Sequence, residues 1–151
     1  MDKIQLTEFI KSIDQDLEVK EGKQFVEVTV PPSKLYSLAR QLREKEELKF
    51  DFLFCLSGVD YGQDLGVVYH IRSTVYEHTV VLKTRTSDRE HPQIDSISDI
   101  WKTADFHERE VYDLFGIRFN NHPDLRRLFL DNSWGFPFRK DYVDDINIVT
   151  K

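Results

Sequence analysis

HEREVYDLFGIRFNNHPDLRRLFLDNSWGFPFRKDY, residues 107–142, sets dense charge against aromatic side chains, and the rest of the chain reads as its support. Back from Phe115, no Gly or Pro interrupts as far as Ser96, and apolar residues recur at Ile97, Ile100, Trp101, Ala104, Val111, Leu114 and Phe115. That period predicts a helix, which Gly116 ends. On a wheel of about 100° per residue the apolar positions form one stripe with Glu108 near its middle, and Asp105, Arg109 and Asp113 lie on a separate face. Glu108 is therefore expected to point inward, where a carboxylate needs a proton or a donor. The downstream cations Arg126, Arg127, Arg139 and Lys140 are its candidate partners. The alternative is a helix that breaks near Asp105, which becomes a new N-cap and leaves Glu108 to solvent.

The chain around this segment has 151 residues, 40% hydrophobic and 13% aromatic, enough for one domain with a real core. A net charge of -6 disfavours a general binder of nucleic acid or anionic membrane. The charge is uneven, however: between Gly116 and Lys140, Arg118, Arg126, Arg127, Arg139 and Lys140 face only Asp124 and Asp131. Cys55 is the only cysteine, so this chain alone supplies neither a disulfide nor a thiolate-ligated cluster, and a reduced cytoplasmic setting is expected. The N-terminus lacks the apolar core of a signal peptide, and no apolar run approaches the roughly 20 residues of a membrane span.

Thr7 to Asp16 has an amphipathic helix pattern with Thr7 as cap and Phe9, Ile10 and Ile13 inward. Leu17–Lys20 and Gln24–Val30 alternate as a strand pair around Glu21-Gly22-Lys23, and Pro31-Pro32 ends it. Ser33 is the predicted cap of a helix through about Glu46 with Leu35, Leu38, Ala39 and Leu42 on its apolar face. FDFLFCLSGV, Phe50 to Val59, is apolar on both alternating faces and is expected to be a central strand that buries Cys55. Val67–Tyr76 and Thr79–Thr86 complete an antiparallel meander, and Ser87–Asp95 reads as a polar loop. The order implies an α+β two-layer sandwich: a mixed five-stranded sheet, helices on one face, and an extended C-terminal tail. We divide it into an α+β domain, residues 1–118, and a tail, residues 119–151, that packs on the domain and on a partner.

His107, Glu108, Glu110, Asp113, His122 and Asp124 invite a metal-site reading, but the spacing opposes it. A helical zinc site needs His at i and i+4; position 111 is Val, and His122 lies beyond the helix stop. Glu108 and Glu110, two apart on a helix, do not face one another as an acid–base pair. His122-Pro123-Asp124 matches the J-domain tripeptide, yet that module is all-helical. Arginines interleaved with Phe129, Trp134, Phe136 and Phe138 suit a single-strand nucleic-acid surface, which the acidic domain opposes; burial or a protein partner suits them as well. Phe106, Glu110 and Asp113, away from the stripe, are expected to face outward for docking.

The segment closely resembles the signature of the C-type, 30 kDa subunit of respiratory NADH:quinone oxidoreductase (complex I). The pattern is present as Glu108-Arg109-Glu110, Tyr112 to Ile117, His122 to Arg127, then Gly135, Pro137 and Arg139 to Tyr142, with weaker similarity at Ser57–Tyr61, Tyr69–Ser73 and Ser96–Ala104. The resemblance implies a subunit of the peripheral arm without catalytic residues, cofactor or metal. It would sit beside the D-type quinone-site subunit and adjacent iron-sulfur subunits, with the clusters and FMN on those neighbours. It implies a peripheral place on the cytoplasmic side of the bacterial inner membrane, and a short standalone form without transit peptide or fused domain. Related subunits of plastid-type dehydrogenases and membrane-bound hydrogenases share the architecture, so the donor is less defined than the role. Phe106, Glu108, Arg109, Glu110, Tyr112, Asp113, His122, Asp124, Arg126, Arg127, Arg139, Lys140 and Asp141 are the expected structural and interface residues.

Overall fold

The computed structural model describes residues 2–127 and 135–141. Helix α1 spans Lys3–Ile13 and starts a turn before Thr7, because Asp2 and Gln5 form a reciprocal capping box: Asp2 Oδ1 accepts from Gln5 N at 2.8 Å and Gln5 Oε1 accepts from Asp2 N at 3.2 Å. Thr7 instead donates its hydroxyl to Lys3 O within the helix, at 2.7 Å. Strands β1 (Glu18–Glu21) and β2 (Val26–Thr29) form the expected hairpin. Helix α2, Pro32–Glu44, begins at a proline and not after a Ser33 cap: the first turn needs no N–H from Pro32, and the ring fixes a helical φ. Its apolar face, Leu35, Leu38, Ala39 and Leu42, is buried as the period predicts.

Strands β3 (Phe52–Asp60), β4 (Leu65–Arg72) and β5 (Thr79–Thr86) form the antiparallel meander. Strand β2 joins β5 in parallel, so the five-stranded sheet is mixed, in the order β1-β2-β5-β4-β3. Val26, Val28, Val67, Tyr69, Ile71, Val80 and Leu82 pack inward against the helices, and each fully buried Val or Ile contributes roughly 1.5–3 kcal/mol.

Strand β3 lies at an edge and not in the centre. Leu53 and Leu56 enter the core, whereas Phe52 and Phe54 are 44% and 40% exposed; the apolar outer residues that suggested a central strand lie on an uncovered surface. Cys55 is accordingly half-buried, its Sγ 3.5 Å from Ser57 Oγ, and not a core residue.

Two further strands correct the loop reading: β6 (Gln93–Asp95) and β7 (Arg118–Asn120) pair in parallel, with helix α3 (Ala104–Phe115) as their crossover. Ile94 and Phe119 are core residues, so β7, with residue 119, packs as part of the domain. Residues 96–103 are turns, not the first part of a longer helix. They are pinned to the β3 edge by Trp101 Nε1 donating to Phe50 O at 3.0 Å and Thr103 Oγ1 to Leu53 O at 2.9 Å. Gly58 lets α3 approach β3: a Cβ there would stand 2.6 Å from the Phe115 ring and 3.1 Å from Val111. No helix among the described residues is long and apolar enough to cross a membrane.

Candidate functional site

Helix α3 carries Glu108 inward, as its period requires, even though the helix starts at the break foreseen near Asp105. The carboxylate does not meet an arginine or lysine of the tail. Its Oε1 accepts from Ser96 Oγ at 2.6 Å and its Oε2 from Ile97 N at 2.9 Å. Those two donors draw the 96–103 segment back over the helix, which is why the helix cannot begin at Ser96. Burial pushes the Glu108 carboxyl up to about 7; the Ser96 and Ile97 donors act against this, and Asp105 and Asp99 reinforce it. The His122 side chain, fully buried, stands 3.9 Å from Glu108 Oε1. Its Nδ1 accepts from Asp124 N at 3.0 Å, so the neutral ring carries its proton on Nε2, directed at Asp105 O (3.1 Å) and Oδ1 (3.0 Å). His122-Pro123-Asp124 is therefore a turn that locks the exit of β7 onto the start of α3.

The tail's cations go elsewhere. Asp113, expected to face outward, is fully buried, and Arg127 Nε donates to its Oδ1 at 2.5 Å. The tail folds back across that helix face, which the wheel without the tail leaves bare. Arg127 also donates to Gly135 O at 2.7 Å, and Arg139 Nε donates to Phe115 O at 2.6 Å, satisfying a carbonyl at the C-terminus of α3. The Phe136 ring lies 5.0 Å from the Arg127 guanidinium and 5.1 Å from that of Arg139. Gly116, at φ +77°, makes this stack fit: a Cβ would stand 2.7 Å from Phe136 and 2.9 Å from Arg139 Nη2.

A second tie was not legible from the segment itself. Arg89 binds Asp60 through both nitrogens, at 2.7 and 2.9 Å, and Lys140 N donates to the same carboxylate at 2.8 Å. Asp141 reaches Arg89 Nη2 at 3.3 Å, and Arg139 Nη1 donates to Arg89 O at 3.1 Å. The Arg89 guanidinium holds the Asp60 carboxyl far below the usual carboxylate range, and Asp60 in turn raises Arg89. Asp60 stands in the Ser57–Tyr61 block that resembles the family, a signal that was available; nothing marked Arg89 within its polar loop.

Phe106 (49% exposed) and Phe138 (55%) face outward. Arg126 is exposed and, among the described residues, pairs locally with Asp124, at 3.1 Å. Glu110 and Tyr112 are half-buried, the Tyr112 ring 5.9 Å from Arg118 and 6.4 Å from Phe136. Arg109 is half-buried, with its Nε lacking a hydrogen-bond partner. Phe129, Asp131, Trp134 and Tyr142, with most of the extended tail, lie outside the described residues.

The family model for the respiratory-chain NADH dehydrogenase 30 kDa subunit matches residues 28–145. The chain is 49% identical over 122 residues to the C/D-type NADH-quinone oxidoreductase subunit of Phocaeicola vulgatus, across 80% of this chain and 23% of that one. It is also 49% identical over 109 residues to the C-type NADH-quinone oxidoreductase subunit of Chloroherpeton thalassium, across 70% of this chain and 45% of the other. It thus spans about a quarter of the C/D-type relative and under half of the C-type one. Its fold matches a chain of the membrane-bound sulfane sulfur reductase, an archaeal respiratory membrane complex, with a TM-score of 0.81 at 23% identity over 94% of this chain and 86% of that chain.

Proposed function

Because this chain belongs to the respiratory-chain NADH dehydrogenase 30 kDa subunit family, we propose that it is a scaffold subunit in the peripheral arm of an NADH:quinone oxidoreductase. In this role it holds no redox group and braces the neighbouring quinone-site subunit and adjacent iron-sulfur subunits. FMN and the clusters sit on those partners, and the membrane is reached only through the complex, on its cytoplasmic side. The observation that carries this reading is the use of the signature's charges. Asp113 with Arg127, Asp60 with Arg89, and Glu108 with Ser96 and Ile97 join one part of the chain to another. Phe106 and Phe138 stay exposed and Glu110 half-buried outside these ties, and these are the side chains left to meet a partner. The same ties weaken the nucleic-acid reading, since Arg127 and Arg139 are committed within the fold.

The test removes the chain and restores it. Membranes from cells lacking it should lose NADH-driven quinone reduction, and the full chain should restore it, while the purified chain carries no stoichiometric iron or flavin. Full activity without the chain, or a redox group on the purified chain that survives chelation, contradicts the proposal. Running the same membranes with reduced ferredoxin as donor separates the dehydrogenase reading from the plastid-type and hydrogenase readings.

A further inference from the structure

We propose that Glu108 is a buried proton-binding site, loaded from solvent through the Ser96 and Ser98 hydroxyls, and that its occupancy sets how firmly the 96–103 segment is held on α3. Every group the site uses is in this chain.

The geometry supplies both a binding group and a route. The Glu108 side chain is fully buried and its Oε1 lies 2.6 Å from Ser96 Oγ. Ser96 Oγ is in turn 2.9 Å from Ser98 Oγ and accepts from Ser98 N at 3.2 Å. Ser96 also lines an open cavity of about 410 Å³, shared with Tyr36, Asp95, Asp99 and Asn121. A hydroxyl donates once and accepts twice, so this chain of oxygens is satisfied in two arrangements. With Glu108 ionised, Ser96 O–H donates to Oε1. With Glu108 protonated, Oε1–H donates to Ser96 Oγ, and Ser96 O–H rotates to donate to Ser98 Oγ. One proton enters from solvent at the half-buried Ser98 hydroxyl or at Ser96 where it lines the cavity, and one hydroxyl reorients at each step; the relay itself moves no heavy atom.

The groups facing Glu108 favour the loaded form. Asp105 of α3 and Asp99 of the turn before it both raise the cost of a negative charge. Tyr69 of β4 is fully buried, with a hydroxyl that has no hydrogen-bond partner, and it senses the same carboxylate and Asp95 of β6. The imidazole of His122, after β7, also stands 3.9 Å from Glu108 Oε1, with its Nε2 directed to Asp105. Burial accordingly places the carboxyl at about 7, where a neutral medium holds the site part-filled. Ionisation leaves a buried anion whose hydrogen bonds among the described residues come from Ser96 and Ile97, with the His122 Nε2 3.9 Å away and directed at Asp105, so the segment carrying these two donors is what yields.

The experiment follows the carboxyl carbon of glutamate by NMR in the full chain, labelled at that position, across a pH series. One glutamate should titrate near 7, against 4.5 for an ordinary one, and that resonance should be missing from Glu108→Gln. Exchange of the Ile97 amide, corrected for its intrinsic rate, should quicken above the same midpoint in the parent and not in Glu108→Gln. Ser96→Ala keeps the question open to test if Glu108→Gln does not fold. It removes a donor to the ionised form, so the midpoint should move upward. The proposal is overturned if every glutamate titrates in the ordinary range, if the raised titration survives in Glu108→Gln, or if Ser96→Ala leaves the midpoint unmoved.

Discussion

Asp113→Ala should unfold this domain markedly more readily than the parent. The carboxylate is fully buried, and its partner Arg127 is 11% exposed, so the substitution strands a cation that water barely reaches. Removing one member of such a pair costs about 3–5 kcal/mol. Arg127 keeps Gly135 O at 2.7 Å and the Phe136 ring at 5.0 Å, which places the expected loss near the lower end, about 3 kcal/mol. For a chain of this size that lowers the melting temperature by roughly 6–12 °C. Urea unfolding of the parent, Asp113→Ala, Arg127→Ala and the double variant measures the coupling directly. The double variant should recover much of the loss, because no charge is then left unpaired. A single-variant loss under about 0.5 kcal/mol, with coupling near zero, refutes the reasoning.

Glu108→Ala strands no cation and leaves Ser96 and Ile97 as unpaired donors, so calorimetry should find a loss of about 1–3 kcal/mol per donor that water cannot reach. The folded carboxyl of Glu108 lies above its unfolded value of 4.5, so its stabilisation is full below pH 4.5 and lost as pH rises through about 7; Glu108→Gln should flatten that part of the stability–pH curve. Asp60 behaves in the opposite sense: its folded carboxyl is depressed below 3.8, so its contribution is full above that pH and lost in strong acid, and Asp60→Asn should blunt acid unfolding. Gly116→Ala, at φ +77° and against Phe136, should cost at least about 1 kcal/mol in urea unfolding and free the tail to proteolysis. Phe106→Ala and Glu110→Ala should stay within about 0.5 kcal/mol of the parent in unfolding and show their effect in recovery of the assembled complex.

Much of this fold was legible because periodicity reports burial. The face of α2, the hairpin, the meander and the inward turn of Glu108 all follow from which positions are apolar. What could not be read has a common cause: it depends on what lies across from a residue. Strand β3 has a central strand's composition, and only the strand order shows its outer face to be bare. Asp113 lies off the apolar stripe and is buried because the tail returns over it. Glu108 was correctly inward but wrongly partnered, since a backbone amide and a serine have no charge signature, whereas four cations downstream are conspicuous. The Asp60–Arg89 tie joins residues that local patterning has no means of relating. Phe129 and Trp134 lie outside the described residues, so the expected packing of those aromatics has no counterpart here.

The claim that the signature serves structure and not chemistry is tested most directly by turnover per assembled complex. Membranes carrying Asp113→Ala in place of the parent chain should contain less complex, with NADH-driven quinone reduction lowered in the same proportion, so the rate per assembled complex stays at the parental value. A complex that assembles in full yet turns over more slowly would place Asp113 in the reaction itself and contradict the account.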